Sequence, residues 1–395
     1  MSEPYLVDGV RTPVGRYGGA LASVRPDDLA ALVVGETARR SGLPVEEIDE
    51  VILGAANQAG EDNRNVARMA VLLAGLPDSI PGLTVNRLCA SGMSAIALAA
   101  NAVRAGDADL VIAGGVESMT RAPWVQAKPD RAWARPGAAF DTSIGWRFTN
   151  PRLSARDKAT FSMPETAEEV ARVDAISRAD ADAFALQSHE RAIAAIDAGR
   201  FAAEIVEVET NRGLVETDEG PRRDTTLDAL AGLRAVVAGG EVVTAGNSSS
   251  LNDGSSAIVV ASAEAVERHG LHPRARIVAS ATAALAPEIM GLGPVPATQK
   301  ALAKAGLQIG DLGAVELNEA FASQSLACIR RLGLDPAIVN ADGGAIALGH
   351  PLGSSGSRLI VTLLGRLERE NARYGLATMC VGVGQGTAMI VERLT

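Results

Sequence analysis

GGAIALGHPLGSSG (Gly343–Gly356), a run with helical spacing, and then CVGVGQG (Cys380–Gly386) form the most informative stretch of this chain. His350 and Cys380 each sit in a glycine-crowded segment, where packing side chains are given up so that backbone can approach a neighbour closely. A second cysteine, Cys89, lies far upstream in NRLCASGMSAI, at the mouth of another apolar helix. The whole chain has only 3 cysteines and 4 histidines. Three of these seven residues fall in Gly- and Ser-rich loops beside helices or strands, which points to thiol chemistry.

Working outward, the first third alternates short apolar runs with helical patterns. The spacing predicts helices over 28–41, 65–74 and 93–105, and strands over 50–54, 82–85 and 110–113. Such alternation implies a parallel or mixed α/β sheet covered on both faces. The run AIALAANAV is apolar all round and belongs between layers. From about residue 120 to 244 the character changes: all 3 tryptophans fall here, with many prolines and charges, and a helix over 178–198 behind Ser177. This reads as an insertion. Strand–helix alternation then resumes with strands at 257–260, 276–279 and 314–317 and a helix at 298–305. A faint internal repeat also shows. Ser91-Gly92 opens a helix leading to DLVIAGGV, and Ser355-Gly356 opens a helix leading to LATMCVGVG.

Composition narrows the function. At 395 residues, the chain suggests more than one domain, and 47% hydrophobic residues supply a large core. Only 3% aromatics and a net charge of −10 argue against nucleic acid, which needs stacking rings or a basic face. No secretory leader or bilayer-length apolar run is read, so the expectation is a cytoplasmic protein with no membrane partner. An odd, scattered set of cysteines does not make a disulfide framework, and no CxxC or HExxH pattern marks a metal site.

Taken singly, the motifs leave alternatives open. Cys89 just before a helix would have its thiolate favoured by the free N–H groups and the dipole there, yet a cysteine can also be buried structure. His350 is stiffened by Pro351, but it could equally be a capped or core histidine. His189, His269 and His272 lie in polar contexts and read as ordinary residues. The CVGVGQG loop lacks phosphate-loop spacing, and exposed N–H groups beside a thiol suit an acyl oxyanion better. Asn318-Glu319-Ala320-Phe321 reads alone as a helix start, TAGNSSSLNDG (Thr244–Gly254) as a turn, and Arg222-Arg223 as a phosphate contact or a solvated pair.

Together these segments resemble the thiolases (acetyl-CoA C-acyltransferases) over essentially the whole chain. NRLCASGMSAI, TAGNSSSLNDG, NEAFASQ, GGAIALGHPLGSSG and CVGVGQG appear in that family's order and spacing. The resemblance implies the thiolase fold: two similar βαβαβαββ halves in a five-layer αβαβα sandwich with an inserted loop domain. The implied parts are an N-terminal half over 1–120, a loop domain over 121–244, a return at 245–270 and a C-terminal half over 271–395. It implies a dimer or tetramer, and coenzyme A and acyl-CoA as substrates with no permanently bound cofactor.

Carried over by residue, Cys89 becomes acylated, His350 takes its proton, and Cys380 moves the α-proton of acetyl-CoA. Asn318, through a water, and His350 form one oxyanion hole; the N–H groups of Cys89 and Gly382 form the other. Ser249, Gly246, Met163, Met290, Phe321 and Arg222 fall where the family holds CoA. Two departures stand out. Ser162-Met163-Pro164 replaces the His-Met-Gly common in acetoacetyl-CoA thiolases, and Ser250 replaces a usual glycine. With SMPETAEEV, ISRADADAFALQS and MGLGPVP, the chain looks most like the 3-oxoadipyl-CoA thiolases of aromatic-acid breakdown. An acetoacetyl-CoA thiolase is the alternative. The related condensing 3-oxoacyl-carrier-protein synthases pair one cysteine with two histidines, or with histidine and asparagine, so Cys380 argues against them. A non-catalytic acyl-CoA carrier is disfavoured by the presence of every reactive position.

Overall fold

The computed structural model describes residues 2–394. Nine strands form the path of its large sheet: β1 (Tyr5–Arg11), β2 (Glu50–Gly54), β3 (Gly82–Val85), β4 (Leu110–Ser118), β5 (Asn252–Ala261), β6 (Ala275–Ala284), β7 (Leu312–Leu317), β8 (Tyr374–Val381) and β9 (Gln385–Arg393). They run in the order β7-β8-β9-β6-β1-β5-β4-β2-β3, and the short strand Gly15–Arg16 pairs with β5. The join between β6 and β1 is only two residue pairs, Tyr5–Arg276 and Leu6–Ala275, so the path divides into two half-sheets.

The halves repeat one another. In the first, β4 is antiparallel to β5 and parallel to β2, which is parallel to β3. In the second, β8 is antiparallel to β9 and parallel to β7, and Val339 bridges β7 in parallel where β3 would be. The repeat read from the two Ser-Gly turns is therefore a repeat of topology.

Helices cover these sheets in layers: α1 (Pro26–Ser41), α2 (Val66–Leu73), α3 (Ser91–Ala105), α4 (Met163–Val173), α5 (Arg178–Asp197), α6 (Pro294–Ala305), α7 (Ala322–Leu332), α8 (Ala345–Leu348) and α9 (Leu352–Arg369). Strand alternation sorts the core. Val111 and Ala113 of β4 join Met93, Ile96, Leu359, Leu363 and Met389 in a central cluster between the half-sheets. Leu110 and Ile112 face the other way, toward Leu29, Val33 and Val71 of α1 and α2. On the far side, Leu312, Leu376 and Ile390 pack against Ala301 of α6 and Cys328 of α7. The result is five layers, with α3 and α9 in the middle. The stretch Leu88–Ala105 is long and apolar enough to cross a bilayer by composition alone, but here it forms a central core helix.

Residues 121–244 add no strand to this sheet. They carry two separate hairpins, Trp124–Gln126 with Ala139–Asp141 and Val208–Thr210 with Gly213–Val215, and helices α4 and α5. Ser177 caps α5 through Asp180 N–H, as its position predicts.

Several element bounds differ from the sequence-based ranges. Helix α9 begins at Leu352, not at Ser355, and β4 runs through Gly114-Gly115 to Ser118. The glycines there read as a strand end. They are instead places of close approach: a Cβ on Gly115 would lie 2.0 Å from Gly353 O. The central helices touch backbone to backbone for the same reason, since a Cβ on Gly356 would lie 2.5 Å from Met93 N.

This contact makes a paired prediction. Gly356→Ala forces α3 and α9 apart and is expected to cost about 1–3 kcal/mol. Gly365→Ala, on the same helix with nothing within 4 Å of its would-be Cβ, should stabilise by about 0.4–1 kcal/mol. Urea unfolding of both variants checks the signs, and equal effects would refute the packing argument.

Candidate active site

The repeat places the reactive residues. Cys89 lies two residues before α3 and His350 two before α9, so the crossing of these helices brings the two loops to one place. A Cβ on Gly92 would lie 2.7 Å from Gly353 O, a measure of how tightly they meet. Cys380 is the penultimate residue of β8, beside the hairpin Gly382-Val383-Gly384, in which Val383 has φ 62. In CVGVGQG, two glycines make this turn, and Gly386 lets Gly293, which precedes α6, press onto β9.

Cys89 is half-buried and Cys380 fully buried, and both are free thiols. Burial pushes the Cys89 thiol up to about 11, opposed by the N–H groups of Gly382 and of Cys89 itself, which aim at its sulfur. The expectation of a resting thiolate is thus corrected: loss of solvation outweighs the helix N-terminus, and the resting group is the thiol. Cys380 is held further up by burial and by the neighbouring Cys89.

His350 is prepared to take a proton. Burial, with Arg358 nearby, lowers its pKa to about 3, so the imidazole is neutral near pH 7. Ser355 Oγ donates to Pro351 O (2.9 Å) and therefore accepts from His350 Nδ1–H (2.6 Å). The free lone pair is then on Nε2, which faces the Asn318 side-chain amide at 3.4 Å. Asn318 Oδ1 is buried and has no hydrogen-bond partner among the described residues. The Arg358 guanidinium is also buried and pairs with Glu316 at 3.6 Å, its terminal nitrogens making no hydrogen bond among the described residues.

Residues that seemed ordinary in sequence hold this geometry. Asn252 Oδ1 accepts the His350 N–H (2.8 Å), and the Ser250 hydroxyl donates to the same oxygen (3.0 Å). Ser250, in place of glycine, is not in a left-handed conformation and adds a hydrogen bond. Glu117 accepts N–H bonds from Ala56, Asn57 and Gly353, tying the loop after β2 to the His350 loop, and burial lifts its carboxyl to about 7. Glu319 accepts from Ser188, Asn340 and the N–H of Ile346, joining the NEAF segment, α5 and α8. A buried acid surrounded by donors has no sequence signature beyond a carboxylate at a strand end, which is why these were missed.

The residues expected near CoA divide into groups. Met163, Met290 and Phe321 pack with Cys380 in one apolar cluster, and Met163 sulfur would lie 3.9 Å from a Cβ on Gly382. Ser162-Met163-Pro164-Glu165 starts α4: Glu165 accepts both the Ser162 hydroxyl and N–H in a capping arrangement, which fixes Met163 at the first helical position. Ser249 N–H donates to Ala320 O, and Gly246 lies against Leu230 and Leu233 on the same loop. Arg222 is exposed. It lies two residues past Gly220, whose would-be Cβ is 2.2 Å from Ala347 O, so its loop crosses the segment leading into His350. Its N–H donates to Nδ1 of His189, which is buried and held to about 4 by burial, so this histidine is structural rather than solvated. No structural contact gathers Arg223 to the site; it pairs with Asp197 at the surface.

Two thiols, a neutral imidazole and converging N–H donors on a doubled five-layer α/β fold define an acyl-transfer site of one class. Residues 5–264 match the family model described as thiolase, N-terminal domain, and 271–393 match thiolase, C-terminal domain; the chain belongs to the thiolase family. It is 56% identical to the 3-oxoadipyl-CoA/3-oxo-5,6-dehydrosuberyl-CoA thiolase of Escherichia coli, over 100% of both chains. It is 58% identical to the beta-ketoadipyl-CoA thiolase of Pseudomonas aeruginosa, over 99% of each. The human mitochondrial 3-ketoacyl-CoA thiolase, solved in complex with CoA, superposes with a TM-score of 0.93 at 38% identity, covering 100% of this chain and 98% of that one.

Proposed function

We propose that this thiolase cleaves 3-oxoadipyl-CoA with CoA, giving acetyl-CoA and succinyl-CoA, and runs the reverse condensation by the same steps. The observation that carries the chemistry is the gathering of Cys89, His350 and Cys380 beside the N–H groups of Cys89 and Gly382. The substrate rests on end-to-end identity of 56% and 58% with thiolases named for it. Coenzyme A enters as substrate, in contact with Ser249, Gly246 and Arg222 and with the apolar wall of Met163, Met290 and Phe321.

In this reading Cys89 sulfur attacks C3 of the bound 3-oxoacyl-CoA while His350 Nε2 takes its proton. The carbonyl oxygen becomes an oxyanion received by the two backbone N–H groups. The C2–C3 bond breaks, and the acetyl-CoA enolate, with its oxygen at Asn318 and His350, takes a proton at carbon from Cys380. The His350 proton then resets Cys380. The incoming CoA thiol gives its proton to the freed imidazole and attacks the thioester, and departing Cys89 recovers that proton. Each half-reaction balances, and the scheme is ping-pong. A neutral histidine and two protonated thiols are the forms this cycle starts from.

We further infer a homo-oligomer, dimer or tetramer. Edge strand β3 has an unpaired side, and Leu72, Leu73, Leu83 and Leu98 are exposed nearby in sequence or structure. The segment 121–150 exposes Trp124, Trp133, Phe140 and Phe148.

The test is CoA-dependent thiolysis of 3-oxoadipyl-CoA, acetoacetyl-CoA and a medium-chain 3-oxoacyl-CoA, compared by kcat/KM. A preference of at least tenfold for 3-oxoadipyl-CoA is expected. Preference for acetoacetyl-CoA would assign the short-chain reading, and cleavage of none would overturn the assignment of the site.

A further inference from the structure

We propose that Arg64 and Arg147 form a fork that binds the distal carboxylate of the acyl chain. This inference rests on the 3-oxoadipyl-CoA reading and adds the residues that would select it.

An open groove of about 500 Å³ is lined by the segment from Ala56 to Gly60 with Asn63, the exposed Arg64 and Arg147. No acid lies in this lining. Arg64 makes no hydrogen bond or ion pair among the described residues, and Arg147 makes only a 3.3 Å bond to Gly145 O in its own loop. An adjoining cavity of about 520 Å³ also carries two arginines, but there Arg121 is bound to Glu61 at 2.6 Å and Arg25 faces the same carboxylate at 3.4 Å. Of these two cavities, the first alone presents guanidinium groups without a carboxylate partner among the described residues, in a chain of net charge −10. An anion of low molecular weight is what such a place attracts.

Its walls belong to the reactive loops. Ala56 O accepts from the Asn86 side chain, and Asn86 Oδ1 accepts the N–H of Leu88, next to Cys89. The N–H groups of Ala56 and Asn57 share Glu117 with Gly353, three residues past His350. In the other segment, Trp146, next to Arg147 in sequence, donates to Phe161 O, two residues before Met163. Hydrogen bonds thus tie both arginine-bearing segments to the groups around Cys89.

Backbone strain falls on the same two segments. Asn63 (φ 50), Arg64 (φ 67) and Phe148 (φ 52) are left-handed without being glycine. Such conformations cost energy and persist where the surroundings impose them. After cleavage at C3, the group on Cys89 is succinyl, and its carboxylate carbon lies roughly 4 Å from the thioester carbon, three single bonds away. The recognising cation must therefore reach in toward Cys89. An arginine side chain is long, and its planar fork can bind both carboxylate oxygens.

The experiment measures kcat/KM for 3-oxoadipyl-CoA and acetoacetyl-CoA in the wild type, Arg64→Gln, Arg147→Gln and the two lysine variants. The ratio of the two values should fall about 10- to 100-fold in each glutamine variant, mostly through KM, with partial recovery in lysine. A wild type that prefers 3-oxoadipyl-CoA, with variants that keep its ratio, overturns this inference and leaves the substrate reading standing. A wild type without that preference overturns the substrate reading and this inference with it. A parallel loss on both substrates shows a merely structural role and also overturns it.

Discussion

Cys89→Ser is expected to lower thiolysis by roughly 10⁴-fold or more and to leave no acyl-enzyme after incubation with labelled acetyl-CoA. The hydroxyl would keep the place at the mouth of α3 and the approach of the Gly382 N–H. What it lacks is acidity. An alcohol is a far weaker acid than a thiol and a poorer nucleophile toward a ketone or thioester carbon, so the serine hydroxyl would not be activated by the His350 imidazole. Intact-mass and peptide mapping after a short pulse give the answer directly. Label on any residue other than Cys89 in the wild type would overturn the nucleophile assignment.

Cys380→Ser should separate the two kinds of proton transfer. Acyl exchange between acetyl-CoA and labelled CoA needs only Cys89 and His350, so it should persist within a few-fold. Cleavage of a 3-oxoacyl-CoA, which needs a proton delivered to an enolate carbon, should fall about 10²–10⁴-fold. The position explains the split. Cys380 is buried in the apolar cluster of Met163, Met290 and Phe321, and its thiol is held protonated by that burial and by Cys89. Near-normal cleavage by the variant would show that another group moves the α-proton.

Legibility in the sequence was uneven, for physical reasons. The range 50–54 predicted for strand β2 matches Glu50–Gly54 to the residue, because a short run rich in branched apolar residues and closed by glycine favours a strand. The predicted range 110–113 stops short of β4 at Gly114, because glycine in a strand looks like an end until the element pressing on it is known. The site followed the same rule. Cys89, His350 and Cys380 stand out because reactive residue types are rare in this chain and sit among glycines. Glu117, Asn252, Ser355 and Glu319 do not, because their part is to accept or donate at backbone groups far away in sequence.

By itself the sequence carried the family and its doubled fold through the resemblance of five motifs in order, and it marked the residue types suited to acyl transfer. Local patterning gave the α/β alternation, since strand and helix periods are written in consecutive residues, but only a faint sign of the repeat. Tertiary structure alone decided the protonation states and the proton's place on the imidazole. Cys89 rests as a thiol because burial outweighs the helix end, and His350 offers Nε2 because Ser355 occupies Nδ1. It also decided which arginines lack a carboxylate partner. Solvation and hydrogen-bond pairing depend on residues brought together across the fold, and no single segment contains them.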